Sequence, residues 1–234
     1  MLTPQRQPGP ERLDDPNLPS EEMARSLEDI ALVNRSWGGS QAVARHLLER
    51  LPRPPASPLS ILDVGAGSGD VSRRLARQLG RCGVETRVVA TDLQWRHLAA
   101  GRRIFGTRLP SAAADAFCLP FAPCSFDFTI STLLLHHFEP EQNVCLMREA
   151  ARVSREGFAL LDLRRHVFPL VFVRLAGRLF FRSRVSLEDG IASVRQAYTP
   201  AEARKIAEAA AAGTRVEKVF PFRMLISRNG AGAG

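Results

Sequence analysis

Apolar positions along the chain keep to two rhythms. Ile61, Leu62 and Val64, then Arg87 to Thr91, a weak run ending near Ala114, Phe126 to Thr132, and Phe158 to Leu163 are short apolar runs that read as strands. Between them, Val71 to Leu79, about Trp95 to Ile104 and about Pro140 to Val153 carry apolar residues at helical spacing. Strands alternating with helices in this way predict a parallel sheet covered on both faces, an α/β doubly wound fold. Ahead of this region, Met23, Leu27, Ile30, Leu32 and Val33 approximate one apolar helical face that starts at Ser20. Ser20 is the expected cap, with Glu21 and Glu22 in the first turn. Gly38-Gly39 ends that helix, and Ala42 to Leu51 forms a second, short one. Pro52, Pro54, Pro55 and Pro58 then predict a stiff connector, and residues 1–20, rich in Pro, Gln and Asp, a loose arm.

Simple alternation stops after Leu163. Val167 to Phe181 is apolar but interrupted by arginines. Thr199 to Ala211 reads as a helix capped by Thr199, with Pro200 in the first position and Glu202 completing a capping box. Arg215 to Val219 and Phe222 to Ser227 follow as two strands, and Pro221 between them predicts a tight antiparallel turn at the sheet edge. The expected organisation is an arm and helical cap over 1–55 and a mostly parallel, seven-stranded domain over 56–234. Residues 164–198 would be a helical lid inserted after the fifth strand, and the Gly-Ala tail from Gly230 would fray.

Composition narrows the class. With 234 residues, 45% hydrophobic and 24% charged, the chain is of ordinary globular make-up, which excludes collagen-like, disordered and disulfide-stapled architectures. Cys82, Cys118, Cys124 and Cys145 form no CxxC pair and have no histidine at zinc-ligand spacing, so they read as reduced, mostly structural thiols and no metal is expected. No export signal and no run of about 18 apolar residues is visible, so the expected location is cytoplasmic. The net charge of +8 invites a nucleic-acid reading, but the basic residues, all arginine except Lys205 and Lys218, are spread along the whole chain. Such scattered charge speaks to surface and solubility.

The most informative stretch is ILDVGAGSGD, Ile61 to Asp70. A strand ends in Asp63, and Gly65, Gly67 and Gly69 then alternate before a helix, which lets the backbone turn sharply and approach a ligand at the carboxyl edge of a sheet. A dinucleotide fingerprint would need glycine where Asp70 stands, and no Gly-Lys-Ser/Thr follows to make a P-loop. The expected ligand is therefore nucleoside-like but not a polyphosphate. Asp92 ends the next strand, where a carboxylate can accept both hydroxyls of a ribose. Asp115 ends the third, beside Ala116 and Phe117, so three acids would line one crevice.

In these motifs the sequence resembles the class I S-adenosylmethionine-dependent methyltransferases. DVGAGSGD is similar to that family's first motif, VVATD to its ribose-binding acid, ADAFCLPFAPCSFDFTISTLLLHHF to its adenine and post-strand-four region, and MREAARVSREGFALLDL to the helix and strand that follow. The resemblance covers roughly residues 60–163, and the closing strand pair fits the family's antiparallel sheet edge. It implies S-adenosyl-L-methionine as cofactor, with Asp63, Gly65, Ala66, Gly67 and Gly69 around the methionine part. It also implies Asp92 on the ribose hydroxyls, Leu93 beside the adenine, Asp115 and Ala116 at the adenine edge, and Ser131 near the methionine amino group. The Leu-Pro-Phe and Leu-His-His spelling looks most like the small-molecule subgroup, including quinone-biosynthesis and polyketide-tailoring enzymes.

Methyl transfer from a sulfonium is an in-line displacement, in which the protein aligns the acceptor and excludes water. A phenolic acceptor also has a proton to lose, and His136, His137 and Asp162, after the fourth strand and at the end of the fifth, are the candidate bases. The expected acceptor is small and apolar or aromatic: a phenolic or quinol oxygen first, carbon or nitrogen second. A non-catalytic S-adenosylmethionine-binding regulator is the competing class. Nucleic acid is not expected, because Ser131-Thr132-Leu133-Leu134 stands where exocyclic-amine methyltransferases carry an Asn/Asp-Pro-Pro-aromatic turn. Along Val167 to Arg184, Arg174, Arg178 and Arg182 recur every four residues beside abundant apolar side chains. That segment reads either as a lid helix with its arginines in water or as an interfacial helix in peripheral contact with anionic lipid. The oligomeric state is left open.

Overall fold

The computed structural model describes residues 3–51, 57–106 and 108–230. Pro52, Pro54 and Pro55 of the expected connector and the tail 231–234 lie outside the described residues. Seven strands, β1 (Leu59–Val64), β2 (Thr86–Asp92), β3 (Ser111–Ala113), β4 (Phe126–Thr132), β5 (Ser154–Leu163), β6 (Arg215–Val219) and β7 (Arg223–Asn229), form one sheet in the order β3-β2-β1-β4-β5-β7-β6. The first five are parallel; β7 runs antiparallel to β5, and β6 antiparallel to β7. The chain moves outward from β1 to β2 and β3, then returns to the other side of β1 for β4. That reversal opens a crevice at the carboxyl end of β1, where ligands of doubly wound sheets bind.

The helices are α1 (Ser20–Ser36), α2 (Gly39–Leu48), α3 (Asp70–Arg81), α4 (Trp95–Phe105), α5 (Pro140–Val153), α6 (Val167–Phe180), α7 (Arg184–Gln196) and α8 (Pro200–Ala210). Alternation along β5 separates two cores. Ala159 and Leu161 pack with Val43, Leu47, Leu75 and Leu79 of α2 and α3. Phe158 and Leu160 face Leu146, Met147, Ala203 and Ile206 of α5 and α8 on the opposite side. The capping box expected at α8 is present: Thr199 accepts from the Glu202 amide and Glu202 accepts from the Thr199 amide. Glu139 and Gln142 form a second box at α5.

Four local expectations need correction. Ser20 is the first residue of α1 and makes no capping bond; Pro19 occupies the cap position. The four cysteines are exposed rather than structural. Helix α7 was not legible because its buried face is largely polar, Ser186, Asp189, Ser193 and Gln196 beside Val185 and Val194, so no apolar period marks it. What that polar face meets is the fourth correction: residues 3–19 are a docked strap rather than a loose arm. Asp189 accepts the Arg12 and Leu13 amides at 2.8 and 2.9 Å, and Leu13 and Leu18 are buried against Met23, Leu27, Ala100 and Val185. Arg6 donates to the Gln196 and Phe138 carbonyls and lies over the Tyr198 ring. These contacts satisfy backbone groups far away in sequence, which a polar, proline-rich composition does not reveal.

Candidate active site

The turn after β1 takes the form that its glycines allow. Gly65, Gly67 and Gly69 have φ of 67°, 55° and 69°, the left-handed region open to glycine. At Gly65 a Cβ would also collide with Leu134, whereas at Gly67 it would meet open space, leaving that stretch of backbone accessible. Asp92 ties the turn to β2: one carboxylate oxygen accepts the Gly67 amide and the other the Gln94 amide, both at 2.8 Å. Burial pushes the Asp92 carboxyl up. Gly101 lets α4 press on the same turn, since any Cβ there would run into the Ser68 carbonyl.

A cavity of about 500 Å³ begins at this turn and extends between the sheet edge, the strap and the lid helices. Asp63, Gly65, Ala66, Gly67, Asp92, Leu93, Asp115 and Ala116 all line it. Leu93 and Asp115 stand exposed at the rim, Asp115 accepting the Phe117 amide at 2.9 Å. Gly69 is not among the lining residues; it is the N-cap of α3. Ser131 is displaced from its expected place: its hydroxyl donates to the Val64 carbonyl at 2.7 Å inside the sheet, because strand alternation turns it inward. The next residue, Thr132, faces the cavity with an unpartnered hydroxyl.

Thr132 is one of several groups at this end with a buried polar atom that has no hydrogen-bond partner among the described residues. Asp63 accepts from the Ser72 hydroxyl at 2.5 Å and leaves its other oxygen free; burial pushes its carboxyl up to about 7. Asp70 likewise has an oxygen without a hydrogen bond, 3.9 Å from Arg74 Nε. Arg223, the first residue of β7, is fully buried against Gly39 and donates to Asn34 at 3.0 Å, while its Nε and Nη1 have no acceptor. Burial pushes its guanidinium down to about 10. Unpaired buried donors and acceptors converging on one lobe are costly unless a polar ligand meets them.

The opposite lobe is built around a buried ion cluster. His136 holds Asp162 twice, through its amide at 3.0 Å and its Nδ1 at 2.7 Å, and its Nε2 lies 3.3 Å from Glu11 of the strap. Burial, the largest influence, depresses the imidazole, but the combined pull of Asp162 and Glu11 carries it up to about 10. Both ring nitrogens of His136 thus face carboxylates, an arrangement that favours the imidazolium. Asp162 is buried, absent from the cavity lining, and held low by His136 against the effect of burial. The two expected bases are thus engaged with each other in a buried ion pair. They anchor the short turn Leu135–His137, and His137 then projects into the cavity, partly exposed, with Nδ1 3.2 Å from Asp14 and Nε2 3.8 Å from Glu11.

Glu11, His136 and His137 place ligand-type atoms within 4.8 Å of one another. In the structure His136 Nδ1 is engaged with Asp162 and its Nε2 faces Glu11. Beyond the histidines the wall becomes apolar, with Trp37, Leu163, Pro169, Val173 and Phe181. Glu11, Asp14, Asn34, Thr132 and Arg223 had no sequence signal, because each is brought to the cavity by an element remote from the glycine turn.

Residues 61–157 match the family model described as a methyltransferase domain. A non-reducing polyketide synthase of Aspergillus niger is 32% identical over 90 residues, 38% of this chain and 3% of that one. The ubiquinone/menaquinone biosynthesis C-methyltransferase of Hahella chejuensis is 31% identical over 109 residues, 44% of this chain and 42% of that one. The chain thus spans less than half the length of these curated relatives. Magnesium protoporphyrin IX methyltransferase from Synechocystis PCC 6803, solved with S-adenosylhomocysteine, superposes with a TM-score of 0.57 at 16% identity. The match covers 87% of this chain and 86% of that one, and shows a shared fold.

Proposed function

We propose, from the match of residues 61–157 to a methyltransferase domain, that the protein is an S-adenosylmethionine-dependent enzyme that methylates a small, apolar acceptor at a phenolic or quinol oxygen. The observation that carries this reading is the pairing of two ends in one cavity. The glycine turn, Asp92 and the unpartnered polar atoms lie at one end, and a partly exposed His137 facing an apolar wall lies at the other. Methyl transfer to carbon is the second reading, supported by the relative named a C-methyltransferase.

When bound, S-adenosylmethionine supplies a methyl group already activated on a sulfonium. Asp92 would hold the ribose hydroxyls, Leu93, Asp115 and Ala116 the adenine, and Gly65, Ala66 and Gly67 the methionine backbone. Asp63 and Thr132 suit an ammonium group, and Arg223 with Asn34 suits a carboxylate. The apolar wall aligns the acceptor and keeps water away, which favours in-line displacement. His137 takes the hydroxyl proton at an imidazole nitrogen as the oxygen becomes nucleophilic, and Asp14 and Glu11 stabilise the resulting cation. Asp162 and His136 fix the turn that carries His137.

The test is turnover of methyl-tritiated S-adenosylmethionine with a panel of phenols and quinols, followed by partition into solvent-soluble, protein and nucleic-acid pools. Enzyme-dependent label is expected in the solvent-soluble pool; label in protein or RNA overturns the acceptor class. His137→Ala should lower kcat by about 10²–10⁴-fold while leaving S-adenosylhomocysteine affinity within about twofold. Unchanged kcat removes His137 as the base.

Arg223→Met separates the two ends of the cofactor. Calorimetry should show S-adenosylhomocysteine binding weakened by about 10–100-fold, as expected for loss of a charged hydrogen bond. Methylthioadenosine, which lacks the amino-acid carboxylate, should bind both proteins equally. Equal weakening of the two ligands would mean that the arginine only supports the fold.

A further inference from the structure

Helix α6 carries more apolar surface than its packing uses. Its inner face, Pro169, Leu170, Val173 and Gly177, is buried. The opposite side presents Phe168, Val171, Leu175 and Leu179, which are 61%, 44%, 75% and 85% exposed. Their spacing of three, four and four residues lines them into one ridge, about 16 Å long at the helical rise. Phe180, half exposed at the end of the helix, extends the patch. Large aliphatic side chains standing this far into solvent as a continuous ridge mark an interaction surface.

The charge carried by the helix and the loop after it is of one sign, and the acid nearest them, Asp29 of α1, is buried on the Arg182 and Ser183 amides. Arg174 and Arg178 flank the ridge on α6, and Arg182 follows in the loop, all three exposed. From Leu163 to Leu187 the chain contains no acidic residue. Glu188, the first acid on α7, is shared between Arg12 and Arg184. An apolar ridge bordered by arginines is complementary to a surface with acyl chains below and anionic headgroups around. A second copy of the chain would bring the same arginine row against itself, with like charges opposed. Spanning is not the mode of contact, because no described helix is long and apolar enough to cross a membrane.

We infer that α6 docks the protein on an anionic lipid surface, with Phe168, Val171, Leu175 and Leu179 inserted among the acyl chains and Arg174, Arg178 and Arg182 at the headgroups. Pro169 and Val173, on the inner face of the same helix, line the cavity. An acceptor dissolved in the bilayer would therefore meet the cavity across the width of one helix. That last step rests on the proposed methyl transfer; the docking itself does not.

Sedimentation with vesicles of phosphatidylcholine, with and without phosphatidylglycerol, tests the docking without cofactor or acceptor. Binding is expected to the mixed vesicles only and to weaken as salt rises. Leu175→Asp combined with Leu179→Asp should weaken it by at least about tenfold. Each of Arg174→Gln, Arg178→Gln and Arg182→Gln should weaken it by about fivefold, from about 1 kcal/mol per basic residue. An unchanged thermal midpoint and unchanged S-adenosylhomocysteine affinity in these variants show that the fold and the cofactor end are intact, so the two proposals fail separately. No binding to either vesicle, equal binding to both, or a lipid-free dimer that the double aspartate variant dissolves would overturn the inference.

Discussion

Asp162→Ala lowers the stability of the folded protein by about 3–5 kcal/mol, the cost of breaking a buried ion pair from one side. Asp162 and His136 are both almost fully buried, and the carboxylate accepts both the ring and the amide of the histidine. Alanine leaves an imidazolium with Glu11 as its remaining counter-charge and leaves the His136 amide without an acceptor. The effect has a sign in pH. His136 is raised from its ordinary 6.5 to about 10, so its contribution is complete below 6.5 and is lost as pH rises toward 10. Asp162 is held below its ordinary 3.8, so its own contribution is present above that value and is lost only in acid. Urea denaturation of the wild type should therefore show stability falling between about pH 7 and pH 10, and a flatter profile in Asp162→Ala. A variant that matches the wild type in both stability and profile would show that the pair does not carry a buried charge.

The second large effect falls on binding. Asp92→Ala is expected to weaken S-adenosylhomocysteine by about two to three orders of magnitude, from the loss of charge-assisted bonds to two hydroxyls. The same carboxylate organises the protein's own backbone, since it accepts the Gly67 and Gln94 amides. Stability should fall by about 1–3 kcal/mol, a modest loss because water can reach a half-buried turn. Calorimetry and thermal denaturation on one preparation separate the two. Near-normal affinity in a folded variant would remove Asp92 from the cofactor site.

Both predictions concern residues visible in the sequence, yet they were legible to different degrees. Asp92 could be read at its strand end because a strand, a turn and a helix contiguous in the chain put it there. Asp162 could be placed on the same edge but not assigned its role, because Glu11, the second carboxylate on its partner His136, lies in a segment whose composition suggested an unattached arm. A polar face on α7 and a polar strap satisfy each other, and neither has a hydrophobic period that betrays the match. Arg223 is the sharpest case. At the start of a strand next to a proline turn it looks like a surface residue, and its full burial follows from Gly39 and Asn34 arriving from the N-terminal helices.

Local patterning was enough for the order of the strands and of every helix but α7, the doubly wound class, the glycine turn and the acids at the ends of β1 and β2, because those features depend on neighbours within a few residues. Which histidine stays exposed in the cavity, where Ser131 points, and which groups close the two lobes depended on strand register and on packing between segments more than a hundred residues apart. His136 and His137 are adjacent in the chain and were indistinguishable as candidates. Both line the cavity, but Asp162 and Glu11 hold His136 in a buried ion pair, whereas His137 stays partly exposed. A residue's chemistry is set by the charges and water around it, and those are assembled only when distant parts of the chain meet.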